Sequence, residues 1–119
     1  GSEMCIRDSH NPSFSRTDLN QLINRETANT PVLFTSGRLV LRKGHGWFIK
    51  NVFPHLPNHT IYIIAGQGPE LAHIKKLIDS QNLSRRILLL GHVDENTLKI
   101  LYNTVDAFIH PNTSMSTRA

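Results

Sequence analysis

Residues 31–112 read as an open, parallel α/β sheet, and three observations carry that reading. Four short apolar runs, at residues 32–35, 60–65, 87–90 and 106–109, are strand-sized and continuous rather than alternating, as expected of strands covered on both faces. Between them lie segments with apolar residues at helical spacing, long enough for the crossovers that parallel strands require. Three of the four runs end at a glycine: Gly37, Gly66 and Gly91.

Each element follows from local chemistry. Thr17 or Asp18 can cap a short first helix whose Leu19, Leu22 and Ile23 share a face, and residues 13–30 form that helix and a linker closed by Asn29-Thr30-Pro31. Val32-Leu33-Phe34-Thr35 is the first strand. Phe48, Ile49, Val52, Phe53 and Leu56 predict a helix over residues 45–56, stopped by Pro57-Asn58. Thr60-Ile61-Tyr62-Ile63-Ile64-Ala65 is the second strand. Pro69 suits the first turn of the next helix, which buries Leu71, Ile74, Leu77 and Ile78. Ile87-Leu88-Leu89-Leu90 is the third strand. Asp94 caps a helix that turns Leu98, Leu101 and Tyr102 inward, and Asp106-Ala107-Phe108-Ile109 is the fourth strand. About four strands with three helices make a Rossmann-like sheet. Right-handed crossovers would then gather every strand's C-terminal end on one rim, where such sheets bind ligands.

Composition narrows the function classes. With 39% hydrophobic and 18% charged residues the chain is ordinary for a globular domain, and its 119 residues set one domain as the upper limit. No apolar run is long enough to span a bilayer and no signal peptide is visible. Cys5 is the single cysteine, so a cytoplasmic location is expected. The net charge of +4 favours anionic ligands, but no Lys/Arg stripe interleaved with aromatics supports nucleic acid binding. The seven histidines are scattered, and none pairs with another at a zinc-site spacing, so no metal is expected.

The loops after the strands carry the chemistry. Gly66-Gln67-Gly68 between a strand and a helix is the context of a phosphate loop, although glycine also ends strands simply because it turns sharply. Leu71 fills the third glycine position of the dinucleotide fingerprint, which disfavours a nicotinamide enzyme. Gly37-Arg38-Leu39-Val40-Leu41-Arg42-Lys43-Gly44 sets a guanidinium beyond the first strand and an ammonium at a helix start. A cation there opposes the helix dipole, a conflict that an anionic ligand resolves. Arg38 can grip a diphosphate through two parallel hydrogen bonds, Lys43 can add a point charge, and Arg42 is the spare, solvated cation. A merely solvated basic loop is the competing reading.

Gly37-Arg38-Leu39-Val40 with Arg42-Lys43-Gly44-His45 resembles the "GRLV..KG" signature of glycosyltransferase family 4, of the GT-B class. Ile64-Ala65-Gly66-Gln67-Gly68-Pro69-Glu70, Leu90-Gly91-His92-Val93 and the stretch from Tyr102 to Asn112 are similar to three further motifs of that family, in its order and spacing. The resemblance implies a nucleotide-diphospho-sugar donor linked to uridine, guanosine or adenosine, sugar transfer with retention to a glycan, lipid or small molecule, and no cofactor or metal. By position it implies that Arg38 and Lys43 contact the diphosphate and stabilise it as leaving group. Gly37 and Gly66 would allow close backbone approach, Gly68 would belong to the same nucleotide-sugar-binding set, and Gly91, His92 and Val93 would line the base pocket, read through backbone.

No residue matches the family's E-x7-E segment, which engages the donor sugar and ribose, and residues 113–119 depart from the pattern. Met4-Cys5-Ile6-Arg7-Asp8-Ser9 resembles a translated sequencing adapter of metagenomic libraries, so residues 1–12 are set aside as a leader. The chain is therefore expected to be a piece of a longer enzyme, marginally folded and inactive alone, with peripheral membrane association of that parent left open. The alternative is a non-catalytic nucleotide-binding or regulatory module.

Overall fold

The computed structural model describes residues 14–40 and 44–109. In chain order the elements are α1 (Arg16–Ile23), β1 (Val32–Ser36), α2 (His45–Asn51), a 3₁₀ turn (Phe53–His55), β2 (Ile61–Ala65), α3 (Leu71–Ser80), β3 (Ile87–Gly91), α4 (Glu95–Thr104) and β4 (Ala107–Phe108). The four strands form one sheet in the order β3-β2-β1-β4, and every pairing is parallel. The parallel α/β sheet read from the sequence is what the chain builds.

The register explains the apolar runs. Val32 through Ser36 pair with Ile61 through Ala65 without interruption, and β2 lies buried at all five positions. Tyr62 and Ile64 face α2 and α3, where they pack with Leu39, Phe48, Ile49, Phe53, Ile74 and Ile78. Ile61, Ile63 and Ala65 face the other way, with Val32 and Phe34, onto Leu19 of α1 and Leu101 of α4. A strand with helices on both sides has no polar face to present, so its sequence cannot alternate. Each such side chain, fully buried, contributes roughly 1.5–3 kcal/mol. Among the described residues no helix is long and apolar enough to cross a membrane.

Several boundaries differ from the sequence reading. Ser15, not Thr17 or Asp18, is the N-cap of α1; Asp18 instead accepts a hydrogen bond from the Ser15 N–H at 2.8 Å. The helix expected over 45–56 is two elements. Pro54 lacks an N–H and restricts Phe53 before it, so the α-helix ends at Asn51 and residues 53–55 tighten into a 3₁₀ turn. Pro69 lies in the turn before α3, whose N-cap is Glu70, rather than in the first helical turn. The fourth strand is only Ala107–Phe108, and β3 extends to Gly91. Asp94 caps α4 as expected, its carboxylate accepting from the Thr97 N–H at 2.8 Å.

Asp106 ties down the end of the sheet opposite the strands' C-termini. One carboxylate oxygen accepts from the Val32 N–H at 2.7 Å, and the other pairs with Arg16 of α1 at 2.9 Å. The motif aspartate that precedes β4 therefore joins α1, β1 and β4 at the start of their strands.

Candidate functional site

Three loops leave the C-terminal rim of the sheet, after β1, β2 and β3, and they are bonded to one another through backbone. The Gly37 N–H donates to the Ala65 carbonyl at 3.0 Å and the Gly66 N–H to the Gly91 carbonyl at 2.7 Å. Leu39, fully buried, donates its N–H to the Gln67 carbonyl and accepts from the Glu70 N–H, both at 3.0 Å. The first rim loop is thus fastened to the second at both ends of one residue.

That fastening assigns the two glycines of Gly66-Gln67-Gly68 a packing role. A Cβ on Gly66 would lie 1.9 Å from the Gly37 carbonyl oxygen, and one on Gly68 would lie 2.3 Å from that of Leu39. The close backbone approach at both positions is made by the neighbouring loop. Gly37 differs: its φ of +132° needs glycine, yet a Cβ there would meet nothing within 4 Å.

Above these loops opens a cleft of about 350 Å³ lined by Ser36, Gly37, Arg38, Ala65, Gly66, Gln67, His92, Val93 and Leu98. Five of the residues expected from sequence meet here: Gly37, Arg38, Gly66, His92 and Val93. Gly68 lies behind the wall under Leu39, and Gly91 supports it from the end of β3. Lys43, with Arg42, lies outside the described residues. Arg38 is exposed and is the lining's formal cation, and no carboxylate is among its described residues. A guanidinium in a cleft free of opposing carboxylates attracts anions.

The helix ends behind the cleft contribute less free N–H than the loop pattern suggests. At α4 the Thr97 N–H is taken by Asp94, whose carboxyl is held below the usual range by that backbone bond first, then by the Thr97 hydroxyl. At α3 the Glu70 and Leu71 N–H groups bond to the carbonyls of Leu39 and Gly68. Among the described residues of the cleft, the Arg38 guanidinium is therefore the concentrated positive charge, and the helix ends add less.

Ser36, Ala65, Gln67 and Leu98 complete the cleft and were not singled out as site residues by sequence reasoning. Gln67 lies between two glycines already singled out, so its position was a usable signal; Ser36, a serine before a glycine, carried none. Leu98 was assigned to the core. A second groove, of about 420 Å³, runs between α2 and α3 and includes Trp47, Lys50, Glu70 and His73; Trp47 is 56% exposed. Its lining also takes in Val40, Gly44 and His45, which with Glu70 belong to the motifs read from the sequence, although no role was assigned to them there.

Residues 18–115 match the family described as glycosyl transferases group 1. The chain belongs to that family. It is 30% identical over 82 residues to an uncharacterized glycosyltransferase of Methanocaldococcus jannaschii, covering 68% of this chain and 21% of that protein. Among solved structures, HepE of Anabaena in complex with UDP superposes with a TM-score of 0.68 at 21% identity, over 82% of this chain and 27% of that one. Sucrose-phosphate synthase of Thermosynechococcus elongatus gives 0.66 at 20% identity, over 83% and 26%. The catalytic domain of starch synthase IV of Arabidopsis thaliana, bound to ADP and acarbose, gives 0.61 at 21%, over 82% and 21%. At such identities the likeness establishes a shared fold, that of GT-B glycosyltransferase domains. The chain spans about a fifth to a quarter of the length of these relatives.

Proposed function

We infer that this chain is the donor-binding part of a family 4, GT-B glycosyltransferase, and that the rim cleft holds a nucleotide-diphospho-sugar. The observation that carries this is the convergence of Gly37, Arg38, Gly66, His92 and Val93 on one cleft at the sheet's C-terminal rim, with no carboxylate among its described lining residues. The complexes of HepE with UDP and of starch synthase IV with ADP lend support, since both relatives hold nucleoside diphosphates.

In this reading the base rests against the His92-Val93 segment and the diphosphate meets Arg38, joined by Lys43. As the bond from the sugar's anomeric carbon to the diphosphate oxygen breaks, negative charge grows on the departing diphosphate. A guanidinium placed there binds that charge more strongly than it binds the intact donor, which lowers the barrier. The sugar passes to a glycan, lipid or small-molecule acceptor with retention, the outcome that the family 4 resemblance implies, in the complete enzyme.

Titration of the 119-residue chain with UDP, GDP and ADP tests the assignment. At least one should bind, and Arg38→Ala and Lys43→Ala should each weaken it roughly tenfold or more, the loss expected for a hydrogen bond to a charged group. Clear binding that ignores both substitutions would overturn the roles given to these residues.

A further inference from the structure

β1 ends with two hydroxyl side chains that face opposite sides of the sheet, and each meets a tyrosine. On the α2/α3 side the Thr35 and Tyr62 hydroxyls lie 2.8 Å apart, and Thr35 donates to the Ile109 carbonyl at 2.7 Å. Because the threonine's one proton goes to Ile109, Tyr62 is the donor to Thr35. That hydroxyl is occupied on both sides and buried.

On the α1/α4 side Ser36 Oγ lies 3.0 Å from the Tyr102 hydroxyl. Among the described residues this is the side-chain hydrogen bond that Ser36 makes, and Ser36 lines the rim cleft beside Arg38. Tyr102 is not free to wander. Its ring sits edge-on to Phe34 at 5.5 Å and against Phe108 at 4.9 Å between ring centres. The phenol is the stronger acid of the pair, so the favoured polarity has Tyr102 donating to Ser36, as Tyr62 does to Thr35. The serine proton is then left for an acceptor in the cleft.

We propose that Ser36 donates its hydroxyl proton to a phosphate oxygen of the bound nucleoside diphosphate, alongside Arg38, and that Tyr102 is the positioning residue that fixes this polarity. The assignment rests on the proposed function and adds to it a neutral contact that no motif indicated. A proton donor beside a guanidinium suits an anionic oxygen, and a hydroxyl already receiving one hydrogen bond donates more strongly.

NMR titration of the 119-residue chain with UDP, GDP and ADP, each paired with its nucleoside, separates the outcomes. Ser36→Ala should weaken the diphosphate roughly tenfold and leave the nucleoside unchanged. Ser36→Thr, which keeps the hydroxyl, should restore affinity to within about twofold, and Tyr102→Phe, which keeps the ring, should cost about threefold on the diphosphate alone. Loss of diphosphate and nucleoside binding in equal measure, or no loss in Ser36→Ala, overturns the assignment and leaves the proposed function standing. A wild-type chain that binds none of the three diphosphates overturns both.

Discussion

Replacing Gly66 with alanine combines two penalties that its neighbours impose separately. The residue sits at φ +142°, a conformation that costs a side-chain-bearing residue about 1–3 kcal/mol. Its new Cβ would also fall 1.9 Å from the Gly37 carbonyl oxygen, so the two rim loops must part by roughly 1 Å. They are joined there by the Gly37–Ala65, Leu39–Gln67 and Glu70–Leu39 hydrogen bonds, each at 3.0 Å, and stretching one forfeits about 0.5–1.5 kcal/mol. Together this predicts a loss of about 1.5–4.5 kcal/mol, a large part of the ~5–15 kcal/mol that holds an ordinary domain.

Three companion substitutions resolve the sum. Gly37→Ala carries strain without a clash, at φ +132° with nothing within 4 Å, and should cost about 1–3 kcal/mol. Gly68→Ala carries a clash without positive-φ strain, against three backbone atoms of Leu39 at 2.3–2.8 Å, and should cost a similar amount. Gly46→Ala, within α2, has neither: its Cβ would sit 3.7 Å from His73 and 3.8 Å from Leu77 of α3, so it should stabilise by about 0.5–1 kcal/mol. Urea denaturation followed by far-UV circular dichroism reads all four. If Gly66→Ala is no more destabilising than Gly37→Ala, the loop-against-loop account of this rim is wrong.

Two further expectations concern the supports of the sheet. Asp106→Ala removes the acceptor of the Val32 N–H and the partner of Arg16, and should lower stability by about 1–3 kcal/mol, whereas Asp106→Asn keeps an acceptor and should lose less; equal losses by urea denaturation would contradict this. The Asp94 carboxyl is held below its usual range by the Thr97 backbone N–H, so its contribution is present above the unfolded value near pH ~4 and lost as the pH falls through the folded one. Urea midpoints between pH 3 and 6 should therefore fall less steeply in Asp94→Asn than in the wild type, and parallel curves would remove Asp94 as the cause.

Much of the site could be read from residues because its logic is local and sequential. Val32, Ile61 and Ile87 open runs without polar alternation, which only strands buried on both faces can tolerate, and glycine at each strand end marks the rim. Arg38 next to Gly37 placed a cation on that rim by chain order alone. What no spacing could supply was the contact between loops far apart in sequence. Gly66 and Gly68 could not be assigned to ligand or to packing until Gly37 and Leu39 were seen against them. Ser36 was invisible for the same reason: a serine before a glycine has no signature, and its significance comes from Tyr102, 66 positions away, held by Phe34 and Phe108. Hydrophobic periodicity specifies which face of each element turns inward, but the crossing of chain segments is what brings a particular hydroxyl, carbonyl or guanidinium within reach of another.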